Sequence, residues 1–182
     1  MEFLNKDELK SVVAHEAGHL RKKHLLFFAI AMMGFMVLAQ IILTGLTLSF
    51  PQSPIIQESY LIIPLWLMGL LIFIRFGFGF LSRNFERQAD CNAFSRNGLT
   101  PIVNALFKVS WINAIDPERS NWHHWGIRER VNFLKQCEED SQKINRHHHR
   151  VSKIQVGCLM IVSLLLTGNC LLYTSDAADE SV

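Results

Sequence analysis

Val12-Val13-Ala14-His15-Glu16-Ala17-Gly18-His19 decides the reading of this chain. Helix-forming residues flank it on both sides. Positions i and i+4 of a helix lie on one face, one turn apart. His15 and His19 can therefore present two imidazoles to one metal ion. Glu16 stands beside them, where its carboxylate reaches a water held by that metal. Two His ligands, a Glu as general base and an open position for water are what zinc-assisted hydrolysis needs. Upstream, Asn5-Lys6-Asp7-Glu8 has the pattern of a capping box and marks the start of the helix. Gly18 costs about 1 kcal/mol against Ala inside a helix. It is read either as a point of close approach or as simple tolerance.

Outward from that helix the chain turns apolar. Residues 25–50 and 154–175 carry no charge, and residues 59–82 carry only Arg75. Each stretch is long enough to cross a hydrocarbon core about 30 Å thick. The expected fold is all-α: an integral membrane protein with about three transmembrane helices and a small helical domain at the membrane face. Arg75, two turns from the end of the second span, is expected to snorkel to the interface. The 182 residues suit one domain. That domain is expected over 5–141, with spans at about 25–50 and 60–81 inserted between two zinc-motif helices. A C-terminal span follows at 154–173, and residues 174–182 are read as an appended, non-native tail. A short β-hairpin near the site is compatible with the pattern.

Charge placement sets the expected orientation. Arg21, Lys22 and Lys23 precede the first span, Arg83 and Arg87 follow the second, and Arg146, Arg150 and Lys153 precede the third. The loop Pro51–Glu58 has no Lys or Arg. The positive-inside rule then puts 1–24 and 83–153 in the cytoplasm, in a plasma or inner membrane. These basic residues form no aromatic-interleaved pattern, so no nucleic-acid partner is expected. Cys91, Cys137, Cys158 and Cys170 make no C-x-x-C pair and fit a reducing compartment. The run His147-His148-His149 is read as a juxtamembrane, pH-sensitive anchor, and His24 as interfacial.

Two histidines need a third protein ligand. Glu86 is the candidate, in Ser82-Arg83-Asn84-Phe85-Glu86-Arg87-Gln88-Ala89-Asp90. This segment is read as a helix that leaves the membrane and ends at Asn97-Gly98. Asp90 lies one turn beyond Glu86, placed to accept a histidine ligand's free N–H and fix its tautomer. Spans one and two form a hairpin, so Glu86 returns to the membrane side of His19. Thr100-Pro101 then reads as cap and first position of another helix, Asp116-Pro117 as its break, and about Ile127–Ser141 as an amphipathic helix.

The order H-E-x-x-H, two spans, S-R-x-x-E-x-x-A-D resembles the HtpX-type membrane zinc metalloproteases and the related type I CAAX prenyl proteases. The resemblance covers about Asn5 to Leu134. In that family a histidine is followed six residues later by an arginine, in an H-P-x-x-x-E-R-like segment. His124 to Glu129-Arg130 has this spacing, with Trp125 in place of the proline. The resemblance implies that His124 and Arg130 line the active site and hold substrate backbone or the oxyanion. Family members usually have spans ahead of the zinc helix, so the chain is expected to be a fragment of a longer protein.

These readings converge on a metalloendopeptidase with one Zn2+ per chain. His15, His19 and Glu86 are the expected ligands, Asp90 supports them, and Glu16, His124 and Arg130 are the expected catalytic residues. Protein or peptide substrates and the lipid bilayer are the expected partners. The family suggests quality control of membrane or unfolded proteins. Two rivals stand beside this reading: a sensor-transducer of the antirepressor type, and a non-catalytic, zinc-stabilised membrane scaffold. Nothing in the pattern specifies an oligomeric state.

Overall fold

The computed structural model describes residues 3–53, 59–120, 122 and 125–179. Among these the chain is helical and has no strand, so the β-hairpin considered above is not found there. Helix α1 runs Lys6–Arg21 and α2 His24–Ser49. After the turn come α3, Ser59–Ile72, a π-helical turn at Phe73–Phe78, and α4, Gly79–Asn97, in unbroken succession. Then follow α5 (Leu99–Ile112), α6 (Ile127–Glu139) and α7 (Gln142–Asp179). Three helical stretches are long and apolar enough to cross a membrane: His24–Ser49, Ile62–Asn97 and Gln142–Cys170. Their outward faces carry large exposed apolar residues such as Leu38, Leu71 and Leu164. Such a surface suits hydrocarbon rather than water.

Asn5 caps α1 as its sequence requires. Its side chain accepts from the backbone N–H of Asp7 and Glu8, and the Glu8 carboxylate accepts from the Asn5 N–H at 2.8 Å. Gly98, at φ +80°, ends α4. Gly98 also opens α5, so that helix begins at Leu99, one residue ahead of the expected cap at Thr100. Pro101 still falls in the first turn, where its missing N–H costs nothing.

Lys23 separates α1 from α2 with a left-handed backbone, φ 55° and ψ 37°. This conformation costs a non-glycine residue about 1–2 kcal/mol. It redirects the chain within two residues and sets His24 beside the end of α1. His24 is thus not interfacial: it is fully buried and stacks on Phe85, with ring centroids 4.3 Å apart.

Two apolar clusters hold the helices. Ala14 of α1, Ala93 of α4, Ile102 of α5 and Leu134 of α6 form one, with Phe94, Leu99 and Leu106 against it. Leu81, Phe85 and Val151 form the other, joined by Phe27, Phe28 and Ala31 of α2 and Ile154 and Cys158 of α7. The α1–α4 contact is tight at Gly18. A Cβ on Gly18 would lie 3.0 Å from the Ala89 Cα and 3.2 Å from the Asn92 Cβ. Gly18 is therefore a point of close approach between backbones. Asn92 seals the contact by donating to the Ala14 carbonyl at 2.5 Å.

The histidine run differs from its expected role. It lies inside α7, not ahead of a separate span. His147 is buried, its Nε2 3.2 Å from the Asn84 carbonyl oxygen and its ring edge-on to Phe133. His148 contacts Gln88 of α4, and only His149 faces outward. Arg75 sits in the π-helical turn, with its guanidinium over the Phe76 ring at 5.5 Å.

Candidate metal centre and active site

Helices α1 and α4 carry the site between them. Ala14 and Gly18 let α1 settle onto Ala89 and Ala93, and the positions next to these small residues then face one another. His15 and His19 project from α1, Glu86 and Asp90 from α4. The Nε2 atoms of His15 and His19 are 3.2 Å apart. His15 Nε2 lies 3.6 Å from Glu86 Oε2, and His19 Nε2 3.4 Å from Glu86 Oε1. Tetrahedral zinc ligands at about 2.0–2.1 Å from the metal are separated by about 3.3 Å. The two imidazoles and the two Glu86 oxygens are spaced near that separation, and one ligand atom from each residue lies within 4.8 Å of the others.

The tautomers agree with that geometry. His15 Nδ1 is 3.0 Å from Asp90 Oδ1, and this ionised carboxylate only accepts, so the imidazole proton sits on Nδ1. His19 Nδ1 is 2.9 Å from His24 Nδ1. With both Nδ1 atoms engaged on the outside, two Nε2 lone pairs and a carboxylate point at one another. Such an arrangement could hold a metal cation at its centre. The residues present fit zinc.

Asp90 is buried and accepts two further hydrogen bonds from Arg130, Nε to Oδ2 at 2.8 Å and Nη2 to Oδ1 at 2.6 Å. Burial alone would raise its pKa. The Arg130 charge and the His15 and Arg130 hydrogen bonds overcome this and hold Asp90 well below the usual carboxylate range. The same groups act on the histidines. Burial lowers the pKa of His15, but Asp90 outweighs it and the net shift is upward. His19 is shifted downward by burial, with Glu86 only partly opposing.

Arg130 is thus committed to two carboxylates. Its Nη2 also lies 3.4 Å from Glu86 Oε2. In this state it orients the ligand set, a role its spacing alone does not specify. It also lines a pocket of about 150 Å³ with His15 and Glu16, whose other walls are Val12, Ile102, Ala105, Leu106 and Val109. Glu16 is exposed at this pocket, free to meet a substrate. His124 lies outside the described residues.

Sequence reasoning missed His24, Gln88 and His148. His24 Nε2 is 2.9 Å from Gln88 Oε1, and Gln88 Nε2 is 3.0 Å from His148 Nδ1. The spacing H-E-x-x-H-x-x-x-x-H held the only signal for His24, and no helical periodicity connects it to the motif.

Comparison with known proteins places these residues in a wider set. Residues 1–136 match peptidase family M48. A CAAX prenyl protease 1 homolog from Arabidopsis thaliana is 30% identical over 134 residues, which is 66% of this chain and 31% of that protein. The chain therefore spans about a third of the length of that relative. No solved structure matches.

Proposed function

Because the chain belongs to peptidase family M48, we propose that it is a zinc-dependent membrane endopeptidase working at the cytoplasmic face. The convergence of His15, His19 and Glu86 within hydrogen-bond-like distances carries this reading. A zinc ion held there supplies Lewis acidity to a scissile carbonyl and brings a water's pKa toward neutrality.

The chain's own residues do the rest. Glu16, one residue from the first ligand, takes the proton of the attacking water and returns it to the departing amine. Asp90 holds His15 with its Nε2 bare, and Arg130 holds Asp90 and steadies Glu86. The apolar pocket beside Glu16 receives a substrate side chain. His124 is proposed as a donor to the developing oxyanion, on the strength of the H-x-x-x-x-E-R spacing.

Lipid-facing helices on this domain favour substrates that arrive in or on the bilayer. Damaged membrane proteins and unfolded segments are the proposed class, which makes quality control the proposed role. The test is casein degradation by the purified, zinc-loaded chain in detergent, beside its Glu16→Gln variant. Cleavage that chelator abolishes and that falls by about 10²–10⁴-fold in the variant supports the reading. Equal cleavage by both proteins sinks the assignment of Glu16. Zinc binding without cleavage of any unfolded protein would favour the scaffold rival.

A further inference from the structure

His19 is contacted by a residue outside the H-E-x-x-H and E-x-x-x-D segments. We infer that His24, backed by Gln88 and His148, is a positioning residue that fixes the proton of His19 on Nδ1 and leaves Nε2 free for the metal. The inference rests on the zinc-site reading above and extends it to a second helix pair.

The argument is one of hydrogen-bond direction. Gln88 Oε1 is a carbonyl oxygen and only accepts, so His24 Nε2, 2.9 Å away, carries a proton and donates it. In the neutral imidazole the other nitrogen is then bare. His24 Nδ1 accepts from His19 Nδ1–H across 2.9 Å. The His19 proton is thereby placed away from Glu86 and from His15. With Gln88 so placed, its amide nitrogen donates to His148 Nδ1 at 3.0 Å and its oxygen is left to His24. Were the amide reversed, His24 Nδ1 would become a donor, and the His19 proton would move to Nε2, onto the metal side.

The ring of His24 is not free to turn. It is fully buried, parallel to Phe85 within 1° and edge-on to His19 with centroids 4.8 Å apart. The left-handed Lys23 puts it there. His15 and His19 therefore have matching supports, Asp90 for one and His24 for the other. The second support begins on α7, beyond the residues that match the family. Partners of this kind, hydrogen-bonded behind a ligating histidine, are worth about 10–100-fold in metal affinity.

The experiment measures zinc affinity of the full chain in detergent by competition with a chromogenic chelator. His24→Phe keeps the stack on Phe85 and removes the acceptor, and should weaken zinc binding about 10–100-fold. His24→Asn loses the ring but offers an oxygen near the place of Nδ1, and should recover most of that loss. Packing alone predicts the opposite order, with Asn worse than Phe. Gln88→Leu should weaken binding and Gln88→Glu, which still accepts from His24, should not. This second pair decides the matter even if His24→Phe does not fold. Wild-type affinity in both His24→Phe and Gln88→Leu overturns the inference, as does an Asn variant no tighter than Phe. Zinc binding that survives His19→Ala overturns the site reading itself, and this inference with it.

Discussion

Glu8 serves two elements at once. Its carboxylate accepts from the Asn5 N–H at the start of α1 and from Lys108 Nζ of α5 at 2.7 Å. The Lys108 hydrogen bond first, and the Asn5 bond second, hold its pKa below the usual glutamate value. A carboxylate with a depressed folded pKa contributes stability above its unfolded pKa and loses it as pH falls through the folded one. Glu8→Gln should therefore lower the melting temperature at pH 7. The gap to wild type should close as the medium is acidified below the ordinary glutamate range. Melting curves in detergent across that range check this, and a gap independent of pH would contradict it. At this scale the sequence was most readable where chemistry has fixed spacing: the capping box, H-E-x-x-H and E-x-x-x-D each lie within one or two helical turns. His24 and Gln88 were missed, and the contacts of Arg130 with Asp90 were not foreseen, because each depends on a partner 40 or more residues away.

At the scale of elements, the site depends on how closely α1 approaches α4. Gly18 and Ala89 set that distance. Gly18→Leu places a branched side chain where even a Cβ is tight against backbone. Overpacking of this kind costs about 1–3 kcal/mol. The wedge also separates His15 and His19 from Glu86, so zinc affinity should fall together with the melting temperature. Chelator competition and a melt on one preparation read both; a loss of stability with unchanged affinity would mean the helices move without opening the site. The apolar spans were legible from composition alone, because a bilayer demands about 20 apolar residues in a row. The joint at Lys23 was not, because nothing in Arg21-Lys22-Lys23 marks a left-handed residue. Nor was the inward face of the histidine run, which only the packing of α7 on Asn84 and Gln88 reveals.

For the whole molecule, the proposed orientation follows from where the cations lie. Arg21, Lys22 and Lys23 at one end of α2 and Arg83 and Arg87 on α4 belong to the same membrane side as the site. Ser53 lies in the turn at the opposite end of the α2–α3 hairpin. In intact cells a membrane-impermeant maleimide should label Ser53→Cys, against the background of the unaltered chain. Lys10→Cys and Arg96→Cys should label only after lysis. The reverse pattern would put the peptidase site outside the cell and remove quality control of cytoplasmic segments from its proposed tasks.

The interruption of the site by two membrane-length helices also governs when it comes into being. During synthesis His15 and His19 emerge first, and Glu86 and Asp90 follow only after the whole hairpin has been made. A nascent chain whose hairpin is still threading into the bilayer holds two imidazoles and lacks the carboxylate that completes them. On the proposed zinc-site reading, a chain still short of Glu86 cannot complete the ligand set. Order of synthesis thus makes the hairpin a precondition of the proposed site.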